Sequence, residues 1–272
     1  MMSKKLLFQN LKLAYVIPLV LVSLTSSSFP VWAQLTQVNR TPIDSARPKF
    51  PDNGAPTGRR KGGTSRDGCS PLNTPLTALV PGEEIADESK SFLTFTISEY
   101  PTFWVYVPQL PTNAQFGEFL LQDENDKNIY RSSLSLPGKA SVIGINLPQN
   151  PQYTLKTNKN YQWYFKVFCG DPQKTSEYFY VKAWVQRVPL TSKLQTQLKT
   201  AQSGEYTTYA LNQLWQDALT NLAVLRRTNP NSRILIQDWT LLLKAVGLEE
   251  FAAAPIVEFH SSDKDVMSSL NN

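Results

Sequence analysis

The run PTFWVYVP, Pro101 to Pro108, constrains the fold more than any other stretch of the chain. On a β-strand Phe103, Val105 and Val107 face one side, and Trp104 and Tyr106 the other, because side chains alternate with period two. A strand with one wet face alternates apolar and polar residues. This one offers water neither side. EYFYVKAWVQRV repeats the habit, with Phe179, Val181, Ala183 and Val185 on one side and Tyr178, Tyr180 and Trp184 on the other. YQWYFKVF likewise sets Tyr164 and Phe168 opposite Tyr161, Trp163 and Phe165. Several strands therefore share a second face that carries Trp104, Tyr106, Tyr164, Tyr178, Tyr180 and Trp184. Exposed apolar patches of that extent are rare, so something covers it. The candidates are the chain's own helices, a glycan stacked on the rings, or a partner protein. The helices are the expected cover, and the flanking prolines fit strand boundaries.

The helices follow from a change of period. Residues 69–188 read as about seven short strands with turn punctuation: SFLTFTI, the pair FGEFLLQ and NIYRSSL around DENDK, SVIGINL, and the two aromatic runs. In TLKTNKNYQWYF, Tyr161 follows a polar turn, where a corner tyrosine of an immunoglobulin-like sandwich bonds back across the turn. After Leu190 the apolar spacing becomes four. Leu211, Trp215, Ala218, Leu222 and Leu225 make one helical stripe, and Leu235, Trp239, Leu242 and Val246 a second. Pro230 stops the first helix, Asn231 or Ser232 caps the next, and Gly247 supplies a left-handed end. YALNQLWQDALTNLAVLRRTNPN looks like part of a tetratricopeptide unit, and a single copy must lean on something else. The expectation is an α+β fold: an antiparallel, immunoglobulin-like β-sandwich carrying a tetratricopeptide-like helix hairpin over 189–251, with 252–272 a flexible tail.

The N-terminus has the layout of a secretory signal peptide over 1–33. Lys4, Lys5 and Lys12 precede the apolar run Leu13 to Leu24, and Val31 and Ala33 lead to a cut before Gln34. The run is too short, and broken by Pro18, for a comfortable span, so no membrane segment is expected after cleavage. Losing those three lysines and no acid takes the net charge from +5 to +2. Residues 34–68 carry seven basic and three acidic side chains, leaving the remainder at −2. The basic charge thus belongs to a Pro/Gly-rich linker rather than a folded face, which argues against nucleic acid as a partner. GRRKGGT within it lacks the Gly-Lys-Ser/Thr ending of a phosphate loop and reads as a solvated tether.

In an oxidising compartment Cys69 and Cys169, the two cysteines of the chain, read as one disulfide. Closing so long a loop restricts the unfolded chain by up to about 4.7 kcal/mol. A single histidine, His260, excludes histidine-based triads and multi-histidine metal sites. QDENDKN, Gln122 to Asn128, departs from a calcium loop at its glycine and glutamate positions and reads as a turn. Glu83, Glu84, Asp87, Glu88 and Glu99 are the carboxylates a hydrolase would draw on, and their loop setting looks solvating. No cofactor is implied.

Read in order, GAPTGRRKGGTSRDGC, LTALVP, PTFWVYVP, YQWYFKVFC, WVQRV, LWQDALTNLAVLRR and WTLLLKAVGL resemble a family found chiefly in cyanobacteria, domain of unknown function 928. Gln213 departs from it, standing where a glycine is expected before the tryptophan-bearing helix. The resemblance implies an exported, periplasmic or extracellular protein and brings no catalytic residues. The expected function is a non-enzymatic binding or adaptor module of the cell envelope, whose partner is an envelope protein or a cell-wall glycan. A carbohydrate-binding module using the aromatic face, and a carboxylate-dependent hydrolase, are the alternatives.

Overall fold

The computed structural model describes Ile43 and residues 48–260, apart from Ala55, 65–68, 86–87, Gln115, Pro137, 175–176 and 202–203. The expected leader, most of the linker, Asp87 and residues 261–272 lie outside the described residues. The described residues fall in one compact unit, Val38–Asn272. The fold is mixed α+β, a curled sheet followed by a four-helix C-terminal region. The strands are β1 (Gly58–Thr64), β2 (Thr77–Ala78), β3 (Gly82–Ile85), β4 (Glu88–Ser91), β5 (Leu93–Thr96), β6 (Thr102–Val107), β7 (Phe116–Asp123), β8 (Asn128–Ser135), β9 (Ser141–Asn146), β10 (Asn160–Phe168), β11 (Tyr178–Arg187) and β12 (Ile256–His260). The helices are α1 (Ser192–Thr200), α2 (Glu205–Leu211), α3 (Trp215–Thr228) and α4 (Arg233–Lys244).

The strands join a single sheet in the order β12-β9-β6-β2-β1-β11-β10-β7-β8, with β5 on β11 and the β3/β4 pair on β1. Two pairings, β5–β11 and β9–β12, are parallel, so the sheet is mixed where the sequence suggests a purely antiparallel one. β1 lies in the stretch expected to be a tether. Its register against β11 slips between Arg59 and Gly63, and within that slip Lys61 pairs with Thr77 of β2. Such an irregularity bends a strand, here letting β1 belong to both halves of the curl. Arg60 is only 3% exposed, donating to Glu84 Oε1 and, at 2.7 Å, to the Val246 carbonyl just past α4. A cation at a helix C-terminus is favourable.

Inside the curl, β6 meets the opposite half ring to ring: Phe103 packs on Phe119 of β7 at 4.9 Å and on Trp163 of β10 at 5.4 Å. Cys69 and Cys169 edge this core with Cα atoms 5.6 Å apart, a disulfide-bonded pair. The Tyr161 hydroxyl accepts the Lys156 N–H at 2.8 Å, the bond across the turn expected of it. Asp123 Oδ1 caps the β7–β8 turn by accepting from Asn125 and Lys127.

A second core lies between the outer side of β6/β9 and the helices. The Thr191 and Ser232 side chains cap α1 and α4. Gly247, at φ +69°, ends the α4 region in the left-handed conformation as expected. The long helix expected through Leu211 and Trp215 is instead two, α2 and α3. Gln213 sits between them at φ +60°, a conformation costly for a side chain with a Cβ, and Leu211 turns outward at 53% exposure. The expected tail also carries structure. After Pro255, IVEFH pairs in parallel with the free edge of β9, from Ile256↔Val142 to His260↔Asn146. That pairing satisfies backbone groups an edge would otherwise leave open. Among the described residues no helix is long and apolar enough to cross a membrane.

Candidate functional site

The six aromatic positions singled out in the sequence fall into two environments. Trp104 and Tyr106 go under the helical region. Trp104 is 1% exposed and donates its indole N–H to Thr220 Oγ1 of α3 at 2.9 Å. Trp215 of α3 answers in the other direction, its indole bonded to the Leu79 carbonyl at 2.7 Å. Trp104 lies flat because its cross-strand partner is Gly144, where an added Cβ would come within 2.7 Å of the indole ring. Tyr106 stacks on Phe251 at 4.2 Å, and burial pushes its phenol above the ordinary value.

Tyr164, Tyr178, Tyr180 and Trp184 stand on the outer side of β10 and β11 and are all half-buried. Both strands alternate buried and half-buried positions, apart from the buried Gln162 of β10, whereas β6 is buried on both sides. The register builds this face in rows. Trp184 adjoins Gln162 and Gln122; Arg59 adjoins Lys182, Tyr164, Leu120 and Arg131; Tyr180 adjoins Lys166, Glu118 and Ser133; Tyr178 adjoins Phe168 and Phe116. Five strands and four rows span roughly 20 Å by 20 Å.

Cations occupy the gaps between the rings. Lys166 Nζ lies 4.9 Å from the centre of Tyr178, and Lys182 Nζ 5.4 Å and 5.7 Å from Tyr164 and Trp184. The Arg59 guanidinium sits 5.7 Å from Tyr180. Each distance is within the range of a cation–π contact. Phe168, Tyr178 and Tyr180 meet edge to face at 5.6 and 6.0 Å. Glu118 holds Lys166 at 3.2 Å and Arg131 at 3.7 Å. Among the described residues neither Lys182 nor Arg59 has a carboxylate at ion-pair distance. Burial raises the Tyr164 phenol, which accepts a hydrogen bond from the Gln162 amide. The face is thus an array of rings and cations in which, among the described residues, two positive charges have no carboxylate partner.

The lysines are what reasoning from the rings alone missed. Lys166 and Lys182 alternate with the aromatics on the outward side, which is the signature of a wet face. The candidate carboxylates lie elsewhere: Glu84 and Glu88, on the paired β3 and β4, are held by Arg60 and Lys90, and Glu99 is held by Arg187. Comparison with curated proteins and with solved structures finds no match. The family described as Domain of Unknown Function (DUF928) matches residues 61–256, from within β1 into β12, and takes in most of both cores and the ring-and-cation face apart from Arg59. The chain belongs to that family.

Proposed function

We propose that this protein is an exported, non-enzymatic adaptor of the cell envelope that docks an acidic partner protein on the outer face of β1, β11, β10, β7 and β8. The observation that carries the reading is the ring-and-cation array, above all Lys182 and Arg59, which lie against aromatic rings with no counter-ion among the described residues. Ring contacts hold those cations in place before a partner arrives, which lowers the ordering cost of binding. Tyrosine, tryptophan and arginine are also the residues enriched where interfaces carry their energy. A carboxylate from a partner completes the array without displacing anything.

A glycan is the second reading, favoured by Tyr178, Tyr180 and Trp184 on one side of a single strand. Against it, each of the four rings already has a cation within 5.7 Å, so a neutral sugar must compete for the same ring surface. The test is capture from envelope extract by the mature chain and by Lys182→Glu. Recovery of one stoichiometric acidic protein by the parent, lost on charge reversal, supports the adaptor. Retention on purified cell-wall polymer alone, unchanged in Lys182→Glu, overturns it.

A further inference from the structure

Where the segment from Thr96 to Thr102 passes the first turns of α3, a cavity of about 280 Å³ remains. Its wall is rich in acceptors. Gln216, 1% exposed, directs its amide NH₂ to Thr94 Oγ1 at 3.4 Å, and its carbonyl oxygen has no partner. Asn221 repeats the arrangement, with its NH₂ on Glu205 at 3.4 Å and a buried carbonyl oxygen left over. Asp217 lies beside them on the same helix, its carboxylate already held by the Ile97 N–H at 3.1 Å and by the Thr96 hydroxyl and the Ser98 N–H. In both amides the donor end is engaged, and among the described residues the acceptor end has no partner. A buried acceptor without a donor is costly and calls for an explanation.

The charge balance points the same way. No lysine, arginine or histidine lines the cavity, and among the described residues none lies at ion-pair distance from Asp217 or Glu205. The Tyr209 phenol in the wall is pushed up to about 12, by burial first and then by Glu205 and Asp217, which registers a negative field. Tyr100 and Tyr209 add ring surface. Unfilled acceptors, negative field and aromatic walls together describe a site for a cation that donates hydrogen bonds. An ammonium group has three N–H donors and no acceptor.

We propose that this cavity binds a primary ammonium group, received by the carbonyl oxygens of Gln216 and Asn221, with the nearby Asp217 carboxylate contributing its charge. The group belongs either to a small amine such as an amino sugar or to a lysine side chain of another protein. The site is separate from the β10/β11 face and does not depend on it.

The experiment uses the mature chain, titrated with Nα-acetyl-lysine amide and with glucosamine. Nα-acetyl-norleucine amide and glucose serve as the neutral counterparts. Trp104, bonded to Thr220 in the cavity wall, reports by fluorescence, and the Asn221 side-chain amide by nitrogen-resolved NMR. The expected result is a saturable response to one ammonium probe, at least about tenfold tighter than to its neutral counterpart, a difference of the size one charged contact makes. The probe that binds identifies the source. Gln216→Leu weakens binding about tenfold by removing an acceptor. Val224→Trp, at a cavity-lining position 43% exposed, blocks the site without touching either core. Equal response to charged and neutral probes, an undiminished response in both variants, or no saturation by either amine at roughly 50 mM overturns the proposal.

Discussion

Gly144→Ala is a one-methyl change with a consequence that can be worked out in advance. The added Cβ would stand 2.7 Å from Cη2 and Cζ3 of Trp104, far inside van der Waals contact, and rings packed under three helices have little room to give. Overpacking a core of this kind costs about 1–3 kcal/mol. Moving the indole also breaks its bond to Thr220, worth about 0.5–1.5 kcal/mol. Against this, replacing glycine by alanine stabilises by about 0.4–1 kcal/mol through the unfolded chain. The net is a loss of about 2 kcal/mol, or a fall of roughly 4–8 °C in Tm for a chain of this size. Thermal denaturation followed by tryptophan fluorescence measures it. The cause is isolated by a double-mutant cycle: in a Trp104→Leu background the methyl meets no ring, and Gly144→Ala becomes neutral or mildly stabilising. An equal cost in both backgrounds would refute the packing argument.

Other consequences are simpler to state. Gln213→Gly relieves a left-handed backbone that costs a side-chain-bearing residue about 1–2 kcal/mol, offset in part by unfolded-state entropy, so Tm rises by a few degrees; a fall in Tm contradicts this. Burial pushes the Asp217 carboxyl up to about 6 from 3.8, so the folded state binds that proton more tightly than the unfolded one. Its ionisation therefore removes stability as pH rises from about 4 through 6. Asp217→Asn should gain about 1–2 kcal/mol at pH 7.5 and nothing at pH 4, read from urea denaturation at both; an equal gain at the two pH values contradicts the linkage. Arg60→Met strands Glu84, which is partly solvated, and frees the Val246 carbonyl, for an expected loss of about 2–3 kcal/mol in the same assay; no loss shows that the clamp between β1 and α4 is dispensable.

Much of this arrangement can be read from residue order, and the failures have physical causes. Two-sided apolarity in PTFWVYVP is enough to place β6 between two cores, because no other environment spares both faces from water. Cys69 and Cys169 pair as expected of the two cysteines of the chain, and Gly247 ends its helical region by local chemistry. The aromatic face divided because a count of rings ignores what stands between them: Lys166 and Lys182 keep the β10/β11 side wet, while Trp104 has Gly144 opposite and can be covered. β1 was hidden by its composition. Glycines and arginines look like a solvated tether until Glu84 and the Val246 carbonyl, distant in sequence, supply the partners that bury Arg60. The break at Gln213 runs against residue preference, since glycine is what that backbone favours, and only the family pattern pointed to it. The cavity beside α3 left no trace, because Gln216 and Asn221 acquire meaning only when the Thr96–Thr102 segment closes over them.

Hydroxyl-radical footprinting of the protein, read residue by residue by mass spectrometry, examines the division of the aromatic positions directly. Trp104 should be unreactive and Tyr106 weakly reactive, while Tyr164, Tyr178, Tyr180 and Trp184 oxidise readily. Oxidation of Trp104 at the rate of Trp184 in the folded protein would contradict the helical cover and, with it, the assignment of the binding face to β10 and β11.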